Sequence, residues 1–528
     1  MDLPKGWVAV DLGDVCEFQA GYGFPIDLQG KSGQAIPFYK VKDISAAWLS
    51  DSRFFLETEN TLSEHEAASI RAKPVPVNSV VFAKIGEALR LNRRAITKVA
   101  SLIDNNTMAM FAPANAVDVS YLYWFSLITR FDVEARASVV PSIRKSDVET
   151  ISFPLAPRAE QTRIVEKLEA LLSELDAGVA ELKVAQKKLK AYRQSLLKAA
   201  VEGTLTVDWR AAQHAARKAP TDKATGNTSV DAAEASSETG QQLLARILTE
   251  RRTRWEAKQL AKFQAQNKTP PKGWQSKYPE PTAPDTADLP QLPEGWVWAT
   301  LSQVGWLDRG KSKHRPRNAP HLYGGPYPFV QTGDIRHADT FLGDIEATYS
   351  EAGLAQSRLW PAGTMCITIA ANIGKTAILS VKACFPDSVV GFLPAVEDVS
   401  IRYVEYFMRS AQQKLESEAP ATAQKNINLE ILEKLVIPVP PTLEQNKIAS
   451  ELENLLAAAR NNDLAIEYSL KQATAQRQNI LRAAFAGQLV PQDPNDEPAS
   501  TLLERLRSER AAQAPSKKPR GRKAKEAS

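Results

Sequence analysis

The chain has 528 residues, 43% of them apolar and 24% charged, with a formal net charge of +5. That is the make-up of an ordinary soluble globular protein of three or four domains at ~150 residues each. No run approaches the ~18 apolar residues of a membrane span, MDLPKGW lacks a signal peptide's apolar core, and Cys16, Cys366 and Cys384 form no CxxC or Cys/His cluster, which argues against a membrane span, a disulfide framework and a zinc site and for a reducing cytoplasm.

Residues 1–155 read as a mixed α/β globular domain. IPFYKVKDIS from Ile36 and SVVFAKIGEA from Ser79 are short, β-branched and aromatic runs bounded by turn formers, the pattern of strands. YLYWFSLITRFD from Tyr121 predicts a helix with an inward aromatic face. Residues 156–205 predict a long helix entered through proline. Its seam is Ile164, Leu168, Leu171, Leu175, Leu182, Leu189, Tyr192 and Leu196, and Gly203 is a natural C-cap.

Residues 206–290 read as a linker. Ala211–Gly240 has no aromatic residue and little to bury, so 211–240 is expected to be disordered, followed by a short helix over 241–262. PPKGW at Pro270 is a partial echo of LPKGW at the start of the chain.

The whole plan then repeats. LPEGW (292–296) answers LPKGW (3–7), YPFVQTGDIR from Tyr327 answers the run at Ile36, GTMCITIAANIGKTAIL from Gly363 answers the run at Ser79, and RYVEYFMRSAQQKL from Arg402 answers the aromatic helix. This predicts a second globular domain over 291–440. A second long helix over 441–490 carries Ile448, Leu452, Leu455, Ala459, Ile466, Ala473 and Ile480 on the same seam, closed by Gly487. PLAPRAEQTRIVEKLEALL and PVPPTLEQNKIASELENLL begin at Pro154 and Pro438, and QSLLKAAVEGTL and QNILRAAFAGQL begin at Gln194 and Gln478, one constant offset. A constant offset over such a length means that a whole unit was duplicated.

One amphipathic helix cannot bury its own stripe, so the two are expected to form an antiparallel coiled coil, a rod of roughly 60 Å at 1.5 Å per residue. Residues 491–528 hold a short helix and a basic disordered tail. LLERLRSERAAQA from Leu502 matches LLARILTERRTRW from Leu243, with Leu503, Leu506 and Arg510 answering Leu244, Ile247 and Arg251.

Catalytic motifs are not found. IGKT at Ile373 lacks the glycine that a phosphate loop needs at position 369, which is Ile, and reads instead as a turn presenting Lys375. There is no glycine-rich nucleotide fingerprint, no Ser-His-Asp elbow and no HExxH, and the five histidines are dispersed.

Basic clusters are prominent. One contains Lys84, Arg90, Asn92, Arg93, Arg94 and Lys98, and another contains Arg309, Lys311, Lys313, His314, Arg315 and Arg317. Either alone would suit a solvated surface. In two domains made equivalent by the repeat, beside the turn glycines Gly21, Gly23 and Gly310, they point to DNA: Lys and Arg neutralise phosphates, while Arg, Asn and Gln pair with base edges. A further pair precedes the long helices, with Ser142, Arg144 and Lys145 in the first half and Gln424, Lys425, Asn426 and Asn428 in the second. Ser142 and Asn428 serve equally well as helix N-caps.

The alternation of globular domain and heptad helix, the LPxGW starts, the paired helix entries and the GTMCITIAANIGKTAIL and TAQKNI elements resemble the specificity subunit of type I restriction-modification systems over nearly the whole chain. The resemblance implies two target recognition domains, each reading one half of a split asymmetric site in double-stranded DNA, with the helical pair as spacer. It also implies partners: two modification subunits bringing S-adenosylmethionine and two restriction subunits bringing ATP, Mg and cleavage, in a bacterial or archaeal cytoplasm. No cofactor or metal is then expected on this chain. The rival readings are a two-headed scaffold that grips proteins and an enzyme with a degenerate site. A steep fall of affinity from 50 to 200 mM salt distinguishes DNA from the scaffold, and catalysis by the chain alone would mark the enzyme.

Overall fold

The computed structural model describes residues 3–133, 141–218, 238–314, 316–370, 372–418 and 426–513. The chain divides into two compact units. The first joins residues 1–184 to 466–528, and the second is the continuous stretch 185–465. The boundary falls inside both long helices, Arg158–Val201 and Thr442–Phe485. Each unit therefore combines one globular domain, the start of the helix that follows it, the end of the other long helix, and one short helix.

In the first unit a four-stranded antiparallel sheet runs Glu17–Ala20, Thr107–Phe111, Val80–Ala83, Arg94–Ile96. A smaller sheet orders Thr61–Leu62, Ile36–Tyr39 and Leu102–Ile103 beside it. The second unit repeats the larger sheet as Gly305–Arg309, Val389–Pro394, Met365–Thr368, Thr376–Leu379 and adds Phe341–Leu342 in parallel at its edge. Each sheet is covered by the expected helix, Val119–Ile128 in one unit and Ile401–Glu418 in the other.

The strand expected at Ile36 is only half strand. After Tyr39 the chain turns into a helix, Val41–Leu49, because the Asp43 carboxylate accepts a bond from the Lys40 amide (2.7 Å) and fixes the first turn. Asp334 does the same for the Gln331 amide (2.7 Å) ahead of the helix Thr332–His337. GTMCITIAANIGKTAIL is likewise two strands rather than one.

The duplicated motifs become duplicated joints. The Trp7 indole donates to Glu160 (3.0 Å) at the entry of the first long helix, and the Trp296 indole donates to Glu444 (2.8 Å) at the entry of the second. Beside each glutamate, Gln161 and Gln445 accept from the amides of Asp118 (2.8 Å) and Ser400 (2.9 Å), tying the helix start to the domain it leaves. Burial pushes the Glu160 carboxyl above its usual range. Arg210 and Thr206 both reach Glu444, and Arg210 also bonds the Gly203 carbonyl (2.6 Å).

Gly203 and Gly487 end the long helices in the left-handed region, at φ 73° and 67°. A Cβ on Gly487 would stand 2.2 Å from the Pro4 side chain, and one on Gly203 would stand 2.6 Å from Pro293. Each domain's LPxGW start thus seats on the end of the helix that follows the other domain.

Within each unit the two long-helix segments run antiparallel. In the first, Arg477 pairs with Asp176 (2.5 Å), while Gln492, beyond the helix end, bonds Glu160 near the start of the first long helix (3.4 Å). In the second, Arg193 bonds Asp463 (3.0 Å) and the Ala459 carbonyl (3.0 Å), while Arg210 meets Glu444.

Seam burial is uneven. Ile164, Leu168, Leu196, Ile448, Leu452, Ala459 and Ile480 are buried; Leu171, Leu175, Leu182, Leu189, Leu455, Ile466 and Ala473 are half-buried. Tyr192, expected in the seam, is exposed, and Leu172 is buried beside Leu171. A straight helix drifts ~20° per heptad from a 3.5-residue repeat, so the buried stripe shifts by a residue along the helix.

The short helices are Gly240–Ala265 and Ala499–Gln513. Leu243 and Ile247 in one, and Leu502, Leu503 and Leu506 in the other, enter the cores of their units. The Arg251 guanidinium bonds the Gly305 carbonyl (2.6 Å) and lies 3.7 Å over the Trp306 ring, and Arg510 bonds the carbonyls of Gly13 (2.9 Å) and Asp14 (2.7 Å). The partial echo at Pro270 forms a turn whose Trp274 stacks on Trp255 of the first short helix.

The expectation of disorder from residue 211 is corrected at its start. Val207–Lys218 is helical, continuing from the turn at Gly203 that Arg210 holds. Residues 219–237 and the tail from 514 lie outside the described residues.

Candidate nucleic-acid interface

In both domains the antiparallel register brings several chain segments to one end of the larger sheet. In the first, the turn 103–107 bonds on one side to Gly21 and Tyr22 (Gly21 amide to Thr107 carbonyl, 3.2 Å; Tyr22 amide to Ile103 carbonyl, 2.8 Å). On its other side the Lys84 amide donates to the Asn106 carbonyl (2.9 Å). The Lys84 carbonyl accepts from Ile143 (2.9 Å), and Ile85 bridges Ser142. The loop after Ala20, Lys84, and the segment Ser142–Lys145 therefore share an edge. In the second domain the Ile369 carbonyl accepts from Ile427 (3.0 Å) and Ala370 bridges Asn426. Arg309 ends the strand paired with Val390, one residue from the Val389–Thr368 pair, so the loop after Arg309 lies on the matching edge. Gly21 and Gly310 mark the same point in the two copies: a Cβ would stand 1.9 Å from the Asp104 carbonyl in one and 2.3 Å from the Pro386 carbonyl in the other.

The placement keeps the correspondence that the repeat predicts: the cluster at 84–94 answers 369–375, within the run that begins at Gly363. The loop that answers 310–322 is 21–34, whose chemistry is not basic.

The individual side chains divide sharply. Arg94 is fully buried and is corrected from a surface contact to a core residue. Its guanidinium lies 4.4 Å from the Phe131 ring centroid and 5.2 Å from that of Phe82, and it bonds the carbonyls of Arg93 (3.0 Å) and Ser126 (3.2 Å) and the Asn92 side chain (2.7 Å). Asn92, at φ 52°, spends its amide on Arg94 and on the Leu127 carbonyl (2.8 Å), and so is corrected to a structural role as well. Asn428 caps the helix Leu429–Glu433 by accepting from Ile431 (2.9 Å), whereas Ser142 lies in the bridge and caps nothing.

Lys84 and Arg93 are half-buried, Arg90 and Arg144 exposed; Arg90 pairs with Glu87 (3.3 Å) and Lys145 with Glu149 (3.5 Å), both in solvent. In the second domain Arg309 holds the Asp387 carbonyl (2.7 and 3.0 Å) and Arg317 its carboxylate (2.6 Å), so Asp387, which the sequence reading passed over, organises that loop. His314 sits edge-on to His321 at 4.9 Å. Lys311 and Lys313 are exposed, and Lys375 is half-buried after the turn at Gly374. Arg315, Gln424 and Lys425 lie outside the described residues, and Asn426 stands on the edge beside Ala370.

The three cysteines are buried, and burial pushes the Cys16 thiol up to about 12 against the opposing charge of Arg510, far from reactivity. Among the described residues no helix is long and apolar enough to cross a membrane, and no cluster of His, Cys, Asp and Glu could hold a metal ion.

The model of the type I restriction modification DNA specificity domain matches the chain twice, over residues 4–182 and 293–468. The chain belongs to the type I restriction-modification specificity family. Among the relatives of this specificity subunit is the type I restriction enzyme EcoDI specificity subunit of Escherichia coli, 25% identical over 75% of this chain and 78% of the relative. Its fold is shared with a chain from a structural study of the complex assembly and conformational transition of the type I R-M system (TM-score 0.62, 17% identity, 92% of this chain and 100% of that one). It is shared also with the HsdS subunit of Thermoanaerobacter tengcongensis (TM-score 0.51, 18% identity, 92% and 98%). The specificity subunit is the non-catalytic member of its restriction enzyme and directs it to DNA.

Proposed function

We propose that the two sheet edges are the DNA-reading surfaces. The first reads one half of a bipartite asymmetric site through Lys84, Arg90, Arg93, Arg144 and Lys145. The second reads the other half through Lys311, Lys313, Arg317, Lys375 and Asn426. One observation carries this reading: in both domains the basic loops gather at the end of the sheet away from the short helix, whose arginine docks where the first strand begins (Gly13 and Asp14, or Gly305). Each domain thus has one end built for joining and another free for a ligand. Lysines and arginines on the free end suit phosphates, and the arginines and Asn426 suit base edges.

The long helices then act as the spacer between half-sites. The subunit recruits two modification subunits, which bind S-adenosylmethionine and methylate adenine, and two restriction subunits, which use ATP and Mg for cleavage, in the cytoplasm of a bacterial or archaeal cell. Mapping methylated adenines in the host genome identifies the site and spacer. Exchanging residues 1–155 for another recognition domain then alters one half-site alone, and a change in both overturns the assignment. A heptad inserted into both long helices lengthens the spacer and leaves the half-sites unchanged; an unaltered spacer overturns the ruler.

A further inference from the structure

The loop 21–34 occupies in the first domain the place that the basic loop 310–322 holds in the second, yet it carries an apolar tip. Ile26 is 88% exposed, more than any other large apolar side chain among the described residues. It is held rigidly. Ile26–Leu28 is one 3-10 turn entered from Pro25, and Leu28 on its far side is buried with Phe38, Leu62 and Leu102. On the near side Phe24 stacks on Phe38 (3.8 Å, 9°), and the Lys40 ammonium sits 4.9 Å from the Phe24 ring centroid. Gln29 closes the turn by donating to the Phe24 carbonyl (3.0 Å) while accepting from Lys40 (2.6 Å). Anchors on both sides stop Ile26 from folding back onto the domain, so its exposure is built into the loop.

Phosphates and sugars offer nothing to a branched aliphatic side chain. On a duplex, the feature that does is the C5 methyl group of thymine in the major groove. Resting on the assignment of this edge to DNA, we infer that Ile26 is a specificity-determining residue that contacts a thymine methyl in the half-site read by the first domain. The two domains then read with different chemistry from matching loops, one by charge and one by apolar contact.

Uracil pairs as thymine does and lacks only the methyl, so it isolates the contact. The full chain, assembled with its modification subunits, is titrated with duplexes of the mapped site in which each thymine of that half-site is replaced in turn. The wild type is expected to lose about four-fold in affinity at one position, the value of one buried methyl-sized group. Ile26→Ala is expected to bind the natural duplex about four-fold more weakly and to lose nothing further at that position, with unchanged thermal unfolding. The inference is overturned if no uracil affects the wild type, if Ile26→Ala binds as the wild type does, or if its loss is the same with and without the methyl, as for a wedge between base steps. Arg144→Ala is the control for the underlying reading. Weakened binding by Arg144→Ala beside an indifferent Ile26→Ala removes this inference alone, whereas binding unaffected by either removes the DNA edge itself.

Discussion

The two globular domains agree at one end and part company at the other. At the end where the helices join, the copies match atom for atom in kind: an indole on a glutamate, a glutamine on an amide of the domain its helix leaves, a left-handed glycine against a proline, an arginine on a backbone carbonyl. At the opposite end the loops differ in length, charge and anchoring. Asp387 gathers Arg309 and Arg317 in one, and an aromatic stack holds out Ile26 in the other. Duplication preserved the joints between domain and helix and released the loops that are proposed to read DNA.

The comparison breaks most visibly at Arg94, which lies at the divergent end but serves the core. Arg94→Ala is expected to destabilise the first unit by about 3 kcal/mol, since it leaves a cavity between two rings and strips the Asn92 side chain and two carbonyls of their donor. Thermal unfolding or hydrogen exchange in that unit measures it, and a surface-like change below ~0.5 kcal/mol would return Arg94 to the DNA contacts. The joining ends should respond alike. Gly487→Ala and Gly203→Ala each combine a left-handed backbone with a collision against proline and should cost about 2 kcal/mol in their respective units. A large asymmetry would contradict the equivalence of the two joints. Trp7→Phe and Trp296→Phe, which leave a buried carboxylate without its indole donor, should cost about 1–2 kcal/mol each.

A pH slope sharpens the comparison further. Burial raises the folded-state pKa of Glu160 above its ordinary value near 4.5, so between those two values the folded chain holds more protons than the unfolded one. Stability of the first unit should therefore fall as pH rises through that window, and Glu160→Gln should flatten the slope. The smallest effect on folding is expected at the divergent surface. Arg90→Ala should leave stability within about 0.5 kcal/mol of the wild type, while weakening one half-site by about 1–3 kcal/mol where the guanidinium makes paired base contacts.

What could be read from the sequence were features set by local periodicity or by repetition itself. The long helices, their C-cap glycines and the paired short helices all announce themselves within a few turns of chain. The partners of the repeated motifs did not, because they are remote: Trp7 meets a glutamate 153 positions on, and Pro4 meets a glycine near the other end of the chain. Arg94 was misplaced for a physical reason. A cation in a basic run normally stays in water because desolvation is costly, and here its burial is made tolerable by partners that include the Ser126 carbonyl and the Phe131 ring, both contributed from beyond Ile96. The clusters at 84–98 and 309–317 stand at different points of the repeat, and charge alone does not show which segments correspond. The glycines at 21 and 310 carried the correct alignment, as each allows a backbone approach that no side chain would survive.

The division of the chain also sets an order of events in time. The second unit is one uninterrupted stretch, 185–465, and can complete itself as soon as it has been synthesised. The first unit begins with Leu3 and is closed only by Ile480, Phe485 and the helix Ala499–Gln513. Domains usually mature from the N-terminus during translation; here the first part made is the last to be finished. Throughout that interval the faces around Trp7, Ile164 and Leu168 wait uncovered, so a chain that stops short of Phe485 carries a sticky surface into the cell.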